Sequence, residues 1–398
     1  MKVLFVTQQV IPHEGGLSTH LLDLMAGLRR QGHDVRLVHG GLTSISRWLR
    51  LLHAGLALGR GDRYRAWHIG AALGNLQRLV RGQLTTFDPE LVHCHDPLAG
   101  FAVSRACHNR AVPVVETVHG PMLYEFQQVS GAGSQPRTEG LILRCEQTAL
   151  AAATQLIAVD SGQAEILRRD YGVEAERVTV IFNSVNVGEV RVLARCDTAL
   201  PCDAPFFLVP RRLWPKTGVQ FAIEALAHIP RRQVRLIIAG QGPLRAELER
   251  RTAALGLTER VHFVGSVPRP QLLPLFARAV GVLVPSVPCT GVVEATSLAV
   301  MEAMACGSVA IASGIGGLAE LIQDGETGLL VPPADAKALA QAMTSVLDDT
   351  ALRTRLLDTA TRKVETEYST EAWLARILAV YQRAMSRTSA VRGSVAAS

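Results

Sequence analysis

The chain has 398 residues, of which 48% are hydrophobic and 19% charged, and its formal net charge is +6. This composition excludes a disordered protein, and the length favours two domains over one. Seven scattered cysteines without a CxxC pair argue against a disulfide framework or a cysteine zinc site. No secretory signal and no apolar stretch of membrane-spanning length is visible, so we expect a cytoplasmic protein without a nucleic-acid partner.

The first half of the chain alternates buried strands with helices. Strands are predicted at KVLFVTQQV, DVRLVHG, ELVHCHD, VPVVETVHG, LIAVD and VTVIFNS. Helices are predicted near 17–31 and 99–109, and Ser161 is placed to cap the helix after LIAVD. Strands this hydrophobic, separated by helices, indicate a parallel sheet covered on both faces.

Within the first half, residues 45–84 carry seven arginines against one acid, Asp62, with apolar residues at helical spacing. One interpretation is an amphipathic helix for an anionic membrane surface or an anionic acceptor. The other is an ordinary surface helix with a solvated basic face and an apolar face in the core. The sequence leaves both open.

The second half repeats the alternation. Strands are predicted at PFFLVPRRL, VRLIIAG, VHFVGS, VGVLVPS, SVAIAS and GLLVPP, and helices near 219–227, 244–255, 271–277, 298–306 and 318–322, then to about 384. We therefore predict an α/β protein with two Rossmann-like, doubly wound parallel-sheet domains facing a central cleft. The predicted divisions are domains 1–186 and 187–370, a helix 371–385 packing back toward the N-terminal domain, and a flexible tail 386–398.

Two glutamates stand out near the end of this alternation. Glu294 precedes the helix LAVMEAMAC at 298–306, and Glu302 is the only charge inside it. A charge among apolar neighbours is costly unless something pairs with it, and a helix start offers free N–H groups to a phosphate. The pattern predicts a site for a nucleotide with hydroxyl-rich cargo. A glycosidase acid/base pair is the alternative, which the nearby arginines and phosphate-ready helix start disfavour.

Basic and glycine residues follow other predicted strands. Arg211, Arg212 and Lys216 suit a pyrophosphate, although basic residues at strand ends are often simply solvated. Gly15-Gly16 would let the backbone approach a phosphate or sugar closely. The turn is not GxGxxG, which counts against a dinucleotide site.

Histidines follow the third and fourth strands. For His93 we favour a hydrogen-bonded role in the core, and for His119, which precedes Gly120, a functional role in a cleft. His93-x-His95 is also a metal-binding pattern, but no third ligand is spaced to complete a site, so we expect no metal.

Together these motifs resemble the retaining glycosyltransferases of the GT-B fold, family 4 (glycosyl transferases group 1). The resemblance covers nearly the whole chain, and its most specific part is the E-x7-E motif of Glu294 and Glu302. Supporting motifs are Arg212-Leu213, Gly240-Gln241-Gly242-Pro243, Pro285-Ser286 and the DGETG run at 324–328. The resemblance implies an acceptor-side domain at 1–186 and a nucleotide-sugar domain at 187–370.

The resemblance also implies roles for individual residues. His119 and Glu294 would contact the transferred hexose as the catalytic residues, and Glu302 would hold the ribose hydroxyls. The donor diphosphate would be bound by Gly15, Gly16, Arg212, Lys216 and the amides around Ser297, Leu298 and Ala299. The family needs no obligatory metal or cofactor, and the leaving phosphate helps to deprotonate the acceptor.

The chain departs from the family pattern at three places. Ala295-Thr296-Ser297 stands where Gly-Phe-Gly is common, Lys216 lies one position early, and Asn183-Ser184-Val185-Asn186 replaces Asn-Gly-Val-Asp. The predicted function is transfer of a hexose from a nucleotide-diphosphate sugar to a glycan, lipid or small-molecule acceptor, in the cytoplasm or peripherally on the inner membrane face. The alternatives are a nucleotide-sugar epimerase and a non-catalytic nucleotide-sugar-binding subunit.

Overall fold

The structure, a computed structural model, describes residues 1–12, 16–40, 61–108, 110–131, 133–198, 202–289 and 296–396. It divides into two compact units. The N-terminal unit comprises Met1–Phe182 and Leu374–Ser398, and the C-terminal unit comprises Asn183–Trp373. The predicted α/β class with two parallel sheets is confirmed.

The described part of the N-terminal unit contains a six-stranded parallel sheet in the order β2-β1-β3-β4-β5-β6. Its strand β1, which lies between β2 and β3, is fully buried from Val3 to Val6. Helices on both faces explain this burial, because a parallel sheet covered on both sides needs continuous apolar strands. The strands are β1 Lys2–Thr7, β2 Asp34–His39, β3 Leu91–Cys94, β4 Val114–Val118, β5 Gln155–Ala158 and β6 Val178–Val180.

Helices connect these strands in the N-terminal unit. The helices α4 and α5 lie between β4 and β5, where the sequence pattern predicted none. The described helices are α1 Gly16–Arg30, α2 Asp62–Thr86, α3 Pro97–Ala106, α4 Met122–Ser130, α5 Pro136–Ala152 and α6 Ser161–Arg169.

The described part of the C-terminal unit has a second six-stranded parallel sheet, ordered β12-β11-β10-β7-β8-β9. Counted from β7, this is the order 3-2-1-4-5-6 of dinucleotide-binding folds. The strands are β7 Phe206–Val209, β8 Arg235–Ala239, β9 Val261–Gly265, β10 Gly281–Val284, β11 Val309–Ser313 and β12 Leu329–Val331.

The helices of the C-terminal unit pack on both faces of this sheet, and a large buried cluster from Phe207 to Leu356 forms its core. The described helices are α7 Val187–Ala194, α8 Val219–Ala227, α9 Arg245–Ala254, α10 Arg269–Arg278, α11 Leu298–Cys306, α12 Gly316–Leu321, α13 Ala336–Asp348 and α14 Thr350–Glu367. The last helix, α15 Thr370–Ala396, begins in this unit and continues into the N-terminal unit.

Two local predictions are corrected. The cap of α6 is Asp160, whose carboxylate accepts from the N–H of Gln163, and Ser161 is the first helical residue. The residues from 386 onward, where we expected a flexible tail, continue α15 up to Ala396, and the hydroxyls of Ser386, Thr388 and Ser389 donate to carbonyls one turn earlier.

The basic region is described from residue 61 onward, and 45–60 lie outside the described residues. Helix α2 buries Leu73, Leu76, Val80 and Leu84 within the N-terminal unit, so for this part the apolar face belongs to the core. Near its start Trp67 remains 52% exposed. In the part of the chain that the structure describes, we find no helix both long enough and apolar enough to span a bilayer.

Candidate functional site

Both sheets have a topological switch point, where the chain turns from one side of the sheet to the other. It lies between β1 and β3 in the N-terminal unit and between β7 and β10 in the C-terminal unit. Open α/β sheets bind ligands outside the carboxyl ends of the strands at such points. The loops after these four strands are therefore the expected place for functional side chains.

In the C-terminal unit, Arg211, in the loop after β7, binds both ends of the loop that joins β10 to α11. Its guanidinium donates to the hydroxyl of Ser286, after β10, at 3.1 Å, and to that of Ser297, before α11, at 3.4 Å. The sequence motifs had singled out the next residue, Arg212, for the diphosphate. The structure shows Arg211 tying the loop after β7 to the start of α11.

Glycines hold these loops in close contact. Gly218 has a φ of +64°, and a Cβ there would collide with the carbonyl oxygen of Pro285. A Cβ on Gly240 would likewise collide with the carbonyl oxygen of Arg211. The backbone approach that positions Arg211 is therefore open only to glycine at these two positions.

Helix α11 begins with amides available to a ligand. Ser297 is its N-cap residue, and the Ser297 side chain makes no capping hydrogen bond. The next two residues, Leu298 and Ala299, are partly exposed. Since the first N–H groups of a helix lack intrahelical acceptors and carry the positive end of the helix dipole, this start suits an anion.

Glu302 has the partner that its apolar helix required. Its Oε1 accepts from Nε of Arg269, on α10, at 2.9 Å, and the Glu302 side chain is 14% exposed. Arg269 also donates to Glu189 of α7 at 2.9 Å. The motifs did not single out Arg269, because it lies 33 residues from Glu302 in sequence.

The other predicted donor residues are placed as follows. Arg212 is exposed and makes no side-chain hydrogen bond with a described residue, whereas Lys216 is partly buried in a 3-10 turn, Pro215–Thr217. The carbonyl of Lys216 accepts from the N–H of Val287, which anchors that turn beside the loop after β10. Gly16 is the first residue of α1. Gly15 and Glu294 lie outside the described residues.

In the N-terminal unit, Asp96 organises the switch point. Its carboxylate accepts from the hydroxyl of Thr7, the N–H of Gln8 and the N–H of Ala99. It thereby joins the end of β1 to the loop after β3 and caps α3. Burial raises the pKa of Asp96, and these hydrogen bonds oppose the rise.

His93 is a core residue, as the sequence favoured. It is fully buried, and its two ring nitrogens lie 2.7 Å from the hydroxyl of Tyr381 and 2.8 Å from that of Thr117. Tyr381 belongs to α15, so the histidine links the sheet to the last helix.

His119 lies directly after β4 and is partly exposed. Its ring is 4.9 Å from that of His20, on α1, and 6.0 Å from that of His95, centroid to centroid. Burial, then the neighbouring His20, lowers the pKa of His119 well below its usual value. At neutral pH His119 is uncharged, so one ring nitrogen can donate and the other accept.

Among the described residues, the structure brings together three candidate metal ligands that the spacing along the sequence did not indicate. His20, His95 and His119 each present a ring nitrogen, and these atoms lie within 4.8 Å of one another. The sequence pattern does not reveal this cluster, because the three histidines are far apart along the chain. His20 lies on α1, His95 follows β3 and His119 follows β4. His93, the other half of the HxH pattern, is not part of it.

Two buried glutamates lie beside the histidines. Glu146, on α5, accepts from the N–H groups of Met122 and Leu123 at the start of α4 and from the hydroxyl of Tyr171. Glu116, on β4, is 1% exposed, and burial, then Asp96 and Glu146, raises its pKa well above the usual value. The buried environment of Glu116 therefore favours its protonated, neutral form.

These groups line one cavity of about 200 Å³. Its walls combine apolar residues such as Leu17 and Leu98 with the polar groups of His95, His119, Glu116 and Gln163. No Lys or Arg is among the described residues that line it, so the cavity suits hydroxyl groups better than a phosphate, which would need cationic partners.

Two family models match the chain. That of Glycosyltransferase Family 4 matches residues 14–189, and that of Glycosyl transferases group 1 matches residues 194–363. Together they cover most of the chain and divide it close to the boundary between the two units.

Known proteins match over nearly the full length. An uncharacterized glycosyltransferase of Methanocaldococcus jannaschii is 26% identical over 97% of this chain and 99% of its own length. D-inositol 3-phosphate glycosyltransferase of Xylanimonas cellulosilytica is 28% identical over 94% of this chain and 93% of its own. Among solved structures, Anabaena HepE in complex with UDP has a TM-score of 0.71 at 22% identity, covering 96% of this chain and all of its own.

Proposed function

The chain belongs to the family 4, group 1 glycosyltransferases and has the GT-B fold, and from this premise we propose that it is a retaining hexosyltransferase. It transfers a hexose from a nucleotide-diphosphate sugar to an acceptor hydroxyl. The contact of Arg211 with the start of α11 carries the proposal, because it gathers cationic side chains and free helix amides at one switch point.

The donor diphosphate binds in the C-terminal unit. Arg212 and Lys216 supply positive charge, and the amides of Leu298 and Ala299 supply hydrogen-bond donors. Arg211 acts as a positioning residue, since its guanidinium is engaged with Ser286 and Ser297. A nucleotide in the related Anabaena protein, which was crystallised with UDP, supports the choice of donor.

The nucleoside binds beside α11. Glu302 accepts hydrogen bonds from the ribose hydroxyls, and Arg269 holds its carboxylate in place at 2.9 Å. Glu294 contacts the hexose hydroxyls; this assignment rests on the E-x7-E motif, since Glu294 lies outside the described residues. In the N-terminal unit, Gly15 and Gly16 allow the diphosphate to approach, and neutral His119 contacts the sugar near the reacting carbon.

The reaction breaks the bond between the anomeric carbon and the phosphate oxygen and forms one from that carbon to the acceptor oxygen on the same face. The acceptor proton passes to the leaving phosphate, whose charge is stabilised by Arg212, Lys216 and the helix amides. No metal or cofactor takes part in these steps. The glycan, lipid or small-molecule class of the acceptor stays open.

Contact of the enzyme with an anionic membrane also stays a prediction. Helix α2 buries Leu73, Leu76, Val80 and Leu84 in the N-terminal unit, so that face does not meet a membrane, and residues 45–60 lie outside the described part. Binding to anionic but not neutral vesicles supports this contact, and equal binding to both contradicts it.

Donor turnover tests the function. The purified chain is incubated with UDP-, GDP- and ADP-sugars, with and without candidate acceptors, while free nucleoside diphosphate is measured. We expect release with one donor, and an α-linked product from an α-linked donor. Absence of release with every donor contradicts the enzyme, an epimerised donor without release indicates the epimerase, and tight donor binding without either product indicates a binding subunit.

A further inference from the structure

Three histidines of the N-terminal unit converge beside the cavity. His20 comes from α1, His95 from the loop after β3 and His119 from the loop after β4. Their rings are 4.9 Å apart for His20 and His119, 5.3 Å for His20 and His95, and 6.0 Å for His95 and His119. One nitrogen from each lies within 4.8 Å of the others, so all three can reach a common point between them.

Part of this cluster lacks hydrogen-bond partners. Among the described residues, nothing hydrogen-bonds to either ring nitrogen of His95 or to Nε2 of His119. His95 is only 1% exposed. Burying an imidazole without partners costs free energy, so a ligand that engages these nitrogens would recover that cost.

We propose that His20, His95 and His119 form a three-histidine binding site for a divalent transition metal ion of the zinc type. Neutral imidazole nitrogen is the common ligand of zinc, copper, nickel and cobalt, whereas magnesium and calcium take oxygen ligands. The nearest acid in sequence, Asp96, is already committed to Thr7, Gln8 and Ala99. The donor set therefore selects a borderline or soft metal over a hard one.

The site leaves one coordination position open. Three histidines fill three corners of a tetrahedron, and the fourth is taken by water or another small ligand. His95 and His119 line the cavity together with Glu116 and Thr117, so the open position faces that space. Glu116 lines the same space, and burial raises the pKa of its carboxyl, which favours the protonated form that can donate a hydrogen bond to a ligand bound there.

The effect of the metal on activity rests on the proposed function. In the proposed function, the side chain of His119 contacts the donor sugar, and a metal ion bound to His119 blocks this contact. The ion therefore competes with transfer instead of supporting it, and we expect zinc to inhibit the enzyme. The same ion stabilises the folded N-terminal unit, because it binds the assembled cluster and not the separated residues.

Metal binding is measured directly on the full chain, without a tag and without any sugar donor. The metal-free protein is titrated with Co²⁺, followed by its visible absorption, and then with Zn²⁺ in competition. We expect one ion per chain in a tetrahedral site, without the thiolate absorption that cysteine ligands would give. His20→Gln and His119→Gln should each weaken binding by more than about 100-fold, beyond the loss typical of outer-shell changes.

A matched control and a second measurement keep the result interpretable. His228 is exposed and lies in the other unit, so His228→Gln should bind Co²⁺ like the wild type. Zn²⁺ should raise the Tm of the wild type and of His228→Gln, but not of His20→Gln. A wild type that binds no Co²⁺, or a folded His20→Gln protein with unchanged affinity, overturns the site.

The site and the proposed function fail separately. A chain that binds Co²⁺ but releases no nucleoside diphosphate from any donor supports the site and contradicts the function. A chain that turns over a donor but binds no Co²⁺ contradicts the site alone. Zn²⁺ should lower the transfer rate of the wild type, whereas His20→Gln should keep the rate that it has without metal. If Zn²⁺ binds at the cluster and the transfer rate of the wild type does not fall, the inhibitory role is overturned.

Discussion

The two units place polar residues at equivalent switch points, but with opposite chemistry. In the C-terminal unit three cations follow β7: Arg211 donates to two serines, Arg212 is exposed and Lys216 is partly buried. In the N-terminal unit, Glu116 on β4 and His119 directly after it lie beside the switch point, in a pocket where burial raises the pKa of the carboxyl and lowers that of the imidazole, so that it favours the neutral form of both. In both units the sheet fixes where a ligand can bind, and the side chains at the strand ends decide which kind of ligand binds there.

The first turns of α4, in the N-terminal unit, and α11, in the C-terminal unit, differ in whether a protein side chain already accepts from their amides. The first amides of α4 already donate to Glu146. At the start of α11, the Ser297 side chain makes no such capping bond and instead accepts from Arg211. A phosphate therefore finds free donors at α11, whereas at α4 it would have to displace a carboxylate.

The largest expected effect concerns the cationic residues after β7 in the C-terminal unit. Arg212→Ala should lower kcat/KM for the donor by about 100-fold, because a charge-assisted hydrogen bond to phosphate contributes roughly 2–3 kcal/mol. Steady-state kinetics with varied donor measures the loss. Arg232→Ala, an exposed arginine elsewhere in the same unit, should keep wild-type kinetics. Equal kinetics in both variants would remove Arg212 from the diphosphate site.

A smaller effect is expected at the nucleoside end. Glu302→Gln should raise the donor KM about tenfold, because a neutral amide is a weaker acceptor for ribose hydroxyls than a carboxylate. Arg269→Met should shift KM in the same direction by freeing the Glu302 side chain. Glu259→Gln, on the surface of the same unit, serves as the control. Unchanged donor KM in Glu302→Gln contradicts the ribose assignment.

In the N-terminal unit, the buried side chain of Glu146 should contribute to the free energy of unfolding. Glu146→Ala should lower the free energy of unfolding by about 1–3 kcal/mol, because it leaves buried donors without acceptors. Those donors are the N–H groups of Met122 and Leu123 and the hydroxyl of Tyr171. Urea unfolding measures the change, and exposed Glu176→Gln is the control. A loss no larger than that of the control would mean that α4 does not depend on this cap.

The smallest effect is a change in pH dependence at Glu116. Its folded pKa lies above its unfolded pKa, so between the two values the native state binds more protons and stability falls as pH rises. Glu116→Gln removes this contribution. The Tm of the variant should therefore fall less than that of the wild type between about pH 5 and pH 8. Parallel Tm curves would show that the Glu116 carboxyl is already ionised in the folded protein.

Local patterns predicted much of the fold. The predicted bounds of α8 and α11 agree with the structure, and each predicted strand overlaps an observed one, because apolar runs and helical spacing depend on neighbouring residues. The sequence pattern missed α4 and α5 between His119 and the fifth strand. It also missed the true cap of α6, Asp160, which lies one position before the predicted Ser161.

Contacts distant in sequence were not predictable in this way. The amino-acid sequence alone was sufficient for the α/β class, the repeated sheet and the need of Glu302 for a partner, since each follows from local polarity. Only the tertiary structure supplied Arg269 as that partner, Arg211 as the link to α11, and the meeting of His20, His95 and His119. A parallel sheet brings strand ends together across tens of residues, and no spacing along the chain encodes which side chains then face one another.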